Sequence, residues 1–214
     1  MSTFEMPSSF ADDSGFPVLP AGRMTEEEFL AWYPDDVRAE WVDGEVIMMS
    51  PSSTDTDDLN GWFLAILRSF ARRKNLGRVL GPNSMVRLAT QRRRRIPDIL
   101  FVQNSRLDII RTNHLEGAPD LAVEIVSPES FARDWREKYQ EYETAGVQEY
   151  WVIDPQSEHA ELYVLGDDRK YQRQTEQDGY LKSMLLPGFN LRTIWFWTAP
   201  RPDELDVLRE LGVI

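Results

Sequence analysis

Cysteine is absent from this 214-residue chain, which excludes disulfides and thiolate metal sites. Histidine is scarce: His114 and His159 are the two imidazoles present. Any metal site must therefore be built mostly from oxygen, which favours magnesium, manganese or calcium. No apolar run approaches the roughly 20 residues that cross a bilayer. The opening MSTFEMPSSFADDSG also lacks a basic start followed by an apolar core, so the chain is expected to be soluble and cytoplasmic, with no membrane partner. Glycine-rich phosphate loops, Walker motifs and dinucleotide fingerprints are missing, which removes those functions. Positive charge is in deficit: 24 Lys and Arg face 36 Asp and Glu, a formal net charge of -12. That balance argues against a general nucleic-acid coat protein, whose affinity comes from many phosphate neutralisations. It does not exclude an enzyme with one basic strip, because the relevant field is local. Such a strip exists at Arg92, Arg93, Arg94 and Arg95, whose bland reading is a solvated loop tip.

What is present suffices for one sizeable core, with 42% apolar and 11% aromatic residues. Residues 1–21, rich in Ser, Asp, Pro and Gly, read as a poorly ordered arm, and 22–214 as a single domain. Thr25 with Glu28 forms a capping box for a short helix that should stop before Pro34. AEWVDGEVIMM predicts a hairpin around Asp43-Gly44. From about Asp57 to Lys74, Leu59, Trp62, Phe63, Ile66, Leu67 and Phe70 recur at helical steps, and Gly77 is expected to end that helix. VLGPNSMVRL and RIPDILFV read as strands joined through the arginine run. Phe131 to Ala145 predicts a helix capped by Gly146. EYWVID, AELYVL and KYQRQT read as strands, and Pro202 to Leu211 as a closing helix with an acidic first turn. The order implies an α/β or α+β fold, a mixed sheet flanked by helices. The tail IWFWT reads as core or dimer-interface packing rather than a base-stacking surface.

Two acids sit where apolar residues belong. Glu124 interrupts the apolar run Leu121 to Val126, which Pro119 and Pro128 bound as a strand buried on at least one face. An ionised carboxylate there needs a partner or a cation. Asp98 opens the apolar strand ILFV, and Pro97 is tolerated where a strand begins. Each acid alone could be edge-exposed or paired with arginine. Together they suit neighbouring strands that deliver both carboxylates to one point, where they repel unless one is protonated or a cation lies between them. On the following helix Asp134, Lys138 and Tyr142 share one face. That face carries either an ordinary surface ion pair or an ammonium brought to the strand end, able to orient or deprotonate a metal-bound water. Glu40, beside Trp41, is not distinguished from Glu45 by periodicity.

The segments RAEWVDGEVIMMSP, IPDILFV, GAPDLAVEIVSPES and DWREKYQEYETAGVQEYWVIDP resemble the Uma family, bacterial proteins classed as restriction-endonuclease-like within the PD-(D/E)XK superfamily. The resemblance runs from about Met24 to Arg192, with Asp134, Lys138, Tyr142, Gly146, Tyr150, Trp151 and Asp154 in register. It implies a restriction endonuclease-like core in which Asp98, Glu124 and the carbonyl of Ile125 hold Mg2+ or Mn2+, with Glu40 acting through a metal water. The superfamily's usual lysine falls at Val126 here, and Lys138 matches the helix lysine that replaces it in this branch. Where relatives often carry a histidine after the Ser-Pro segment, this chain has Thr56. The implied activity is metal-dependent hydrolysis of phosphodiester bonds in nucleic acid, DNA first, with Glu40, Asp98, Glu124 and Lys138 catalytic. Arg92 to Arg95 would track the backbone, and a homodimer would suit cutting of both strands. The alternative is a nuclease fold that has lost catalysis and serves in binding or regulation, which Thr56 and the net charge favour. An acid pair acting on sugars leaves Lys138 unexplained.

Overall fold

Local signals explain most of the elements in the computed structural model, which describes residues 22–33, 37–127 and 133–214. Residues 1–21, the expected arm, lie outside that description, as do Pro34 and the first residues of the helix expected from Phe131. Helix α1 (Glu26–Trp32) starts at Thr25, whose hydroxyl accepts the Glu28 N–H while the Glu28 carboxylate accepts the Thr25 N–H at 2.7 Å. Strands β1 (Ala39–Val42) and β2 (Glu45–Met48) form the expected hairpin. Asp43 and Gly44 take φ of 49° and 97°, the positive pair that matches strand twist in a two-residue turn.

Helix α2 (Thr54–Arg73) is capped by the Ser53 hydroxyl and buries Leu59, Trp62, Phe63, Ile66, Leu67 and Phe70. Each such side chain contributes about 1.5–3 kcal/mol of burial. The helix ends at Arg73, with Lys74 as its C-cap, close to the expected Lys74, but Gly77 is not what ends it. Asn75, at φ 53°, makes the left-handed turn, and Gly77 instead begins β3 (Gly77–Leu80). A Cβ on Gly77 would stand 2.1 Å from the Val102 carbonyl, so glycine serves there to admit a neighbouring strand.

The remaining strands are β4 (Val86–Leu88), β5 (Arg93–Arg95), β6 (Ile99–Gln103), β7 (Leu115–Glu116), β8 (Leu121–Ile125), β9 (Glu149–Asp154), β10 (His159–Leu165), β11 (Tyr171–Gln174), β12 (Tyr180–Lys182) and β13 (Asn190–Arg192). VLGPNSMVRL therefore splits at Gly81-Pro82 into β3 and β4, which belong to different sheets. Arg93–Arg95 of the arginine run form a strand rather than a connection, with Arg92 in the turn before it. A five-stranded sheet runs β2-β1-β5-β4-β7, and a six-stranded sheet runs β11-β10-β9-β8-β6-β3. Between β8 and β9, which pair in parallel, the chain passes through a π-helical segment, Arg133–Lys138, into α3 (Tyr139–Ala145). Gly146 closes that helix at φ 87°, as its position implies.

Side chains alternate across the central strand. Leu121, Val123 and Ile125 pack with α2, Phe189 and Trp151, while Ala122 and Val126 pack with Tyr142, Val147 and Tyr150. Glu124 therefore points to the α3 side. In the tail, Phe196 is fully buried against Phe63 and belongs to the core, Trp195 and Trp197 pack half-buried at its edge, Trp62 meets Trp195 and Phe196 edge-on, and Ile194 is exposed. Helix α4 (Glu204–Glu210) closes the chain against α2. Among the described residues no helix is long and apolar enough to cross a membrane.

Candidate active site

Register places the two anomalous acids together. The pairs between β6 and β8 end at Ile99 and Val123, and one step further the same antiparallel register sets Asp98 across from Glu124. Directly opposed residues share a face, so both carboxylates stand on the α3 side of the sheet. Asp98 Oδ2 accepts the Ile125 N–H at 2.8 Å. A strand residue's N–H and C=O leave on the same edge, so the Ile125 carbonyl is directed toward Asp98 as well. A cavity of about 550 Å³ opens at this point, lined by Asp98, Glu124, Ile125, Asp134 and Lys138, and by Arg38 and Thr56 from the first hairpin and the start of α2.

Lys138 is the hub. Its Nζ donates to Glu124 Oε2 at 2.7 Å and lies 3.2 Å from Asp134 and 3.5 Å from Glu40. The other Glu124 oxygen accepts the Tyr142 hydroxyl at 2.8 Å. The shared face of Asp134, Lys138 and Tyr142 thus crosses the strand end, and the Asp134–Lys138 pair is buried rather than a surface pair. Asp134 is further fixed through its carbonyl, which accepts the Tyr150 hydroxyl at 2.8 Å.

The electrostatics follow from burying more acids than bases. Burial pushes the Asp98 carboxyl up to about 6, against the Ile125 N–H and Lys138, which favour its charged form. Burial raises Glu124 well above the usual carboxylate range, and Asp134, Asp98 and Glu40 add to it against the pull of Lys138. Desolvation works against the Lys138 charge, but Asp134, Glu124 and Glu40 outweigh it and keep the ammonium protonated. Excess negative charge at one buried point is relieved by a bound proton or by a cation.

Two expectations are corrected. Glu40 does not line the cavity. It stands across from Arg95 in the register of β1 and β5, and its oxygens accept Arg95 Nη1 at 2.7 Å and the Ile96 N–H at 3.0 Å. It is fully buried and its contact with the site is the 3.5 Å approach to Lys138, which places it behind the ammonium rather than beside a metal water. The arginine strip is spent internally. Arg95 is fully buried between Glu40 and Glu141, Arg94 is buried on Glu26, and Arg93 bonds Glu141. Arg92 alone of the run is exposed, beside Asp43 and over the Trp41 ring. Burial and carboxylate pairing take Arg94 and Arg95 out of reach of a nucleic-acid backbone, while Arg93 stays half-buried with its Nε on Glu141.

The donor set suits a hard divalent ion in part. Among the described residues no three acidic or imidazole groups form a ready-made cage. Two carboxylates and a carbonyl facing an open cavity nevertheless match the way magnesium binds, through one or two carboxylates with its remaining positions left to water and substrate oxygens. Arg38, which sequence reasoning passed over, also lines this cavity. Its signal was its position two residues before Glu40, hence on the same face of an extended segment.

The comparisons agree with this architecture. A family model described as "Uma2: Putative restriction endonuclease" matches residues 26–194. A solved structure described as a putative nuclease belonging to DUF820 from Anabaena variabilis ATCC 29413 superposes with a TM-score of 0.68 at 17% identity, covering 81% of this chain and 97% of that one. At that identity the likeness shows a shared fold. No curated protein matches the chain in sequence.

Proposed function

This chain belongs to the Uma2 family, and on that premise we propose that it hydrolyses phosphodiester bonds in nucleic acid, DNA first, with a divalent ion held by Asp98, Glu124 and the Ile125 carbonyl. The observation that carries the reading is the register-set pair of carboxylates at a cavity, with the Lys138 ammonium 2.7 Å from one of them. When bound, magnesium or manganese supplies Lewis acidity to the phosphoryl oxygen and lowers the pKa of an attacking water. Asp98 and Glu124 fix the place of that charge, each with lone pairs to spare beyond the hydrogen bonds it already accepts. Lys138, held protonated, is a donor that orients the nucleophile and favours negative charge on the attacked phosphate. Glu40 positions Lys138, and Tyr142 positions Glu124. Cleavage of both strands of a duplex is best served by a homodimer with two such sites, which light scattering would detect.

The test is cleavage of end-labelled DNA in magnesium or manganese by the wild type and by Asp98→Asn and Glu124→Gln. Loss of cutting in both variants, with folding retained, supports the assignment, and undiminished cutting in either removes it. A second reading, a nuclease fold retained for binding or regulation, draws on the internal use of Arg93 to Arg95 and the charge of -12. It requires that calorimetry find no magnesium or manganese binding.

A further inference from the structure

We infer that Arg38 is a catalytic residue that grips the non-bridging oxygens of the scissile phosphodiester, an inference that rests on the phosphodiesterase reading of this cavity. The chain stays extended before β1, where the Met49 N–H donates to the Arg38 carbonyl at 2.9 Å and continues the hairpin ladder. Side-chain alternation then turns Arg38 to the same side as Glu40, toward the acid cluster and away from the Met24, Phe29 and Trp41 core. There its Nε and Nη2 are shut off from water, and among the described residues neither has a hydrogen-bond partner. Arg94 and Arg95, buried nearby, rest on carboxylates at 2.8 and 2.7 Å, and Arg201, whose Nε is also without a partner among the described residues, still places its two Nη groups on Asp55 and Asp58. A guanidinium cannot shed its charge, so buried donors without acceptors are a standing cost that a purely structural residue would have no reason to carry.

The cavity supplies the reason. Arg38 lines it together with Asp98 and Glu124, and its field reaches Asp98, yet it makes no ion pair with any described carboxylate. Two parallel N–H groups in a rigid fork match two oxygens of a phosphate, and a rotation of the Arg38 side chain further into the cavity it already lines would present them to an anion seated beside Asp98. Acceptors for Arg38 would thus arrive with the substrate. The hydroxyls of Ser53 and Thr56, hydrogen-bonded to each other at 2.9 Å and at the same cavity, leave one O–H free to donate to such an anion.

The test compares the full chain with Arg38→Met and Arg38→Lys. The first readout is thermal unfolding with and without a thymidine hexanucleotide in calcium. The wild type is expected to gain stability from the oligonucleotide and Arg38→Met to gain none, while Arg38→Met without ligand unfolds at or above the wild-type midpoint because an unsatisfied charge is gone. The second readout is cleavage in manganese, where a fall of about 10²–10³-fold is expected in Arg38→Met, the scale of a lost transition-state donor, with little rescue by Arg38→Lys. Equal stabilisation of wild type and Arg38→Met by the oligonucleotide, or no stabilisation of either, would overturn the inference. So would an Arg38→Met protein that unfolds earlier and cuts at the wild-type rate. If the wild type binds through Arg38 but cuts nothing in any metal, the phosphodiesterase reading fails while the phosphate grip stands.

Discussion

Replacing Lys138 with methionine, a side chain of similar length and no charge, tests whether the buried hub has the balance described. The change strips the ammonium from Glu124, Asp134 and Glu40, which lie within 3.5 Å of it and are each 3% exposed or less. Breaking a buried ion pair by removing one partner costs about 3–5 kcal/mol, a large part of the roughly 5–15 kcal/mol that holds a domain folded. For a chain of this size that is a fall in melting temperature of about 6–20 °C. The acids can recover part of the loss by taking up protons. The folded-state pKa of Glu124, already raised by burial, then stands still further above its unfolded value of 4.5. The folded form therefore binds more protons than the unfolded form in the window above 4.5, so stability falls as pH rises through that window and returns as pH is lowered. Urea unfolding of wild type and Lys138→Met across about pH 5 to 8 measures this. A loss under about 1 kcal/mol, or a pH slope identical to the wild type, would refute the account of the cluster.

Other residues make separate predictions. Burial opposes the Glu40 charge, but Lys138 and Arg95 hold its carboxyl down at about 2. Its contribution is full above the ordinary value of 4.5 and is lost as pH falls through the window down to 2, so Glu40→Gln should cost about 3 kcal/mol at neutral pH and flatten the acid-unfolding curve read by circular dichroism. Arg95→Met should destabilise by about 3–5 kcal/mol because it takes from buried Glu40 its closest cation and leaves Glu141 with Arg93 alone of the two arginines, whereas Arg92→Ala should change stability by less than about 1 kcal/mol in the same denaturation experiment. Gly77→Ala should cost about 1–3 kcal/mol or more, since its Cβ would press on the Val102 carbonyl and the Phe101 ring; unfolding at the wild-type midpoint would contradict the close strand approach.

Much of the arrangement of the candidate site is legible in the sequence. Asp98 and Glu124 stand out because charge is rare within apolar strands, and the helical step marks Lys138 and Tyr142 as neighbours. The hairpin and α1 were readable because turn and capping chemistry is local. The arginine run was not, since a cluster of charge normally seeks water, and only the pairing of β1 with β5 reveals that Arg95 answers Glu40. Gly77 misleads for a related reason: a glycine near a helix end looks like a cap, and the strand pressing on it comes from residues far along the chain. Arg38 escaped notice because an arginine beside a hairpin is unremarkable until its donors are seen buried without acceptors.

The central claim is that Asp98, Glu124 and the Ile125 carbonyl hold one divalent ion. Anomalous diffraction from a crystal soaked in manganese tests it most directly. The account predicts a single strong peak within coordination distance of both carboxylates and that carbonyl, lost in a Glu124→Gln crystal. A cavity that stays free of manganese, or a peak seated away from Asp98 and Glu124, would contradict it.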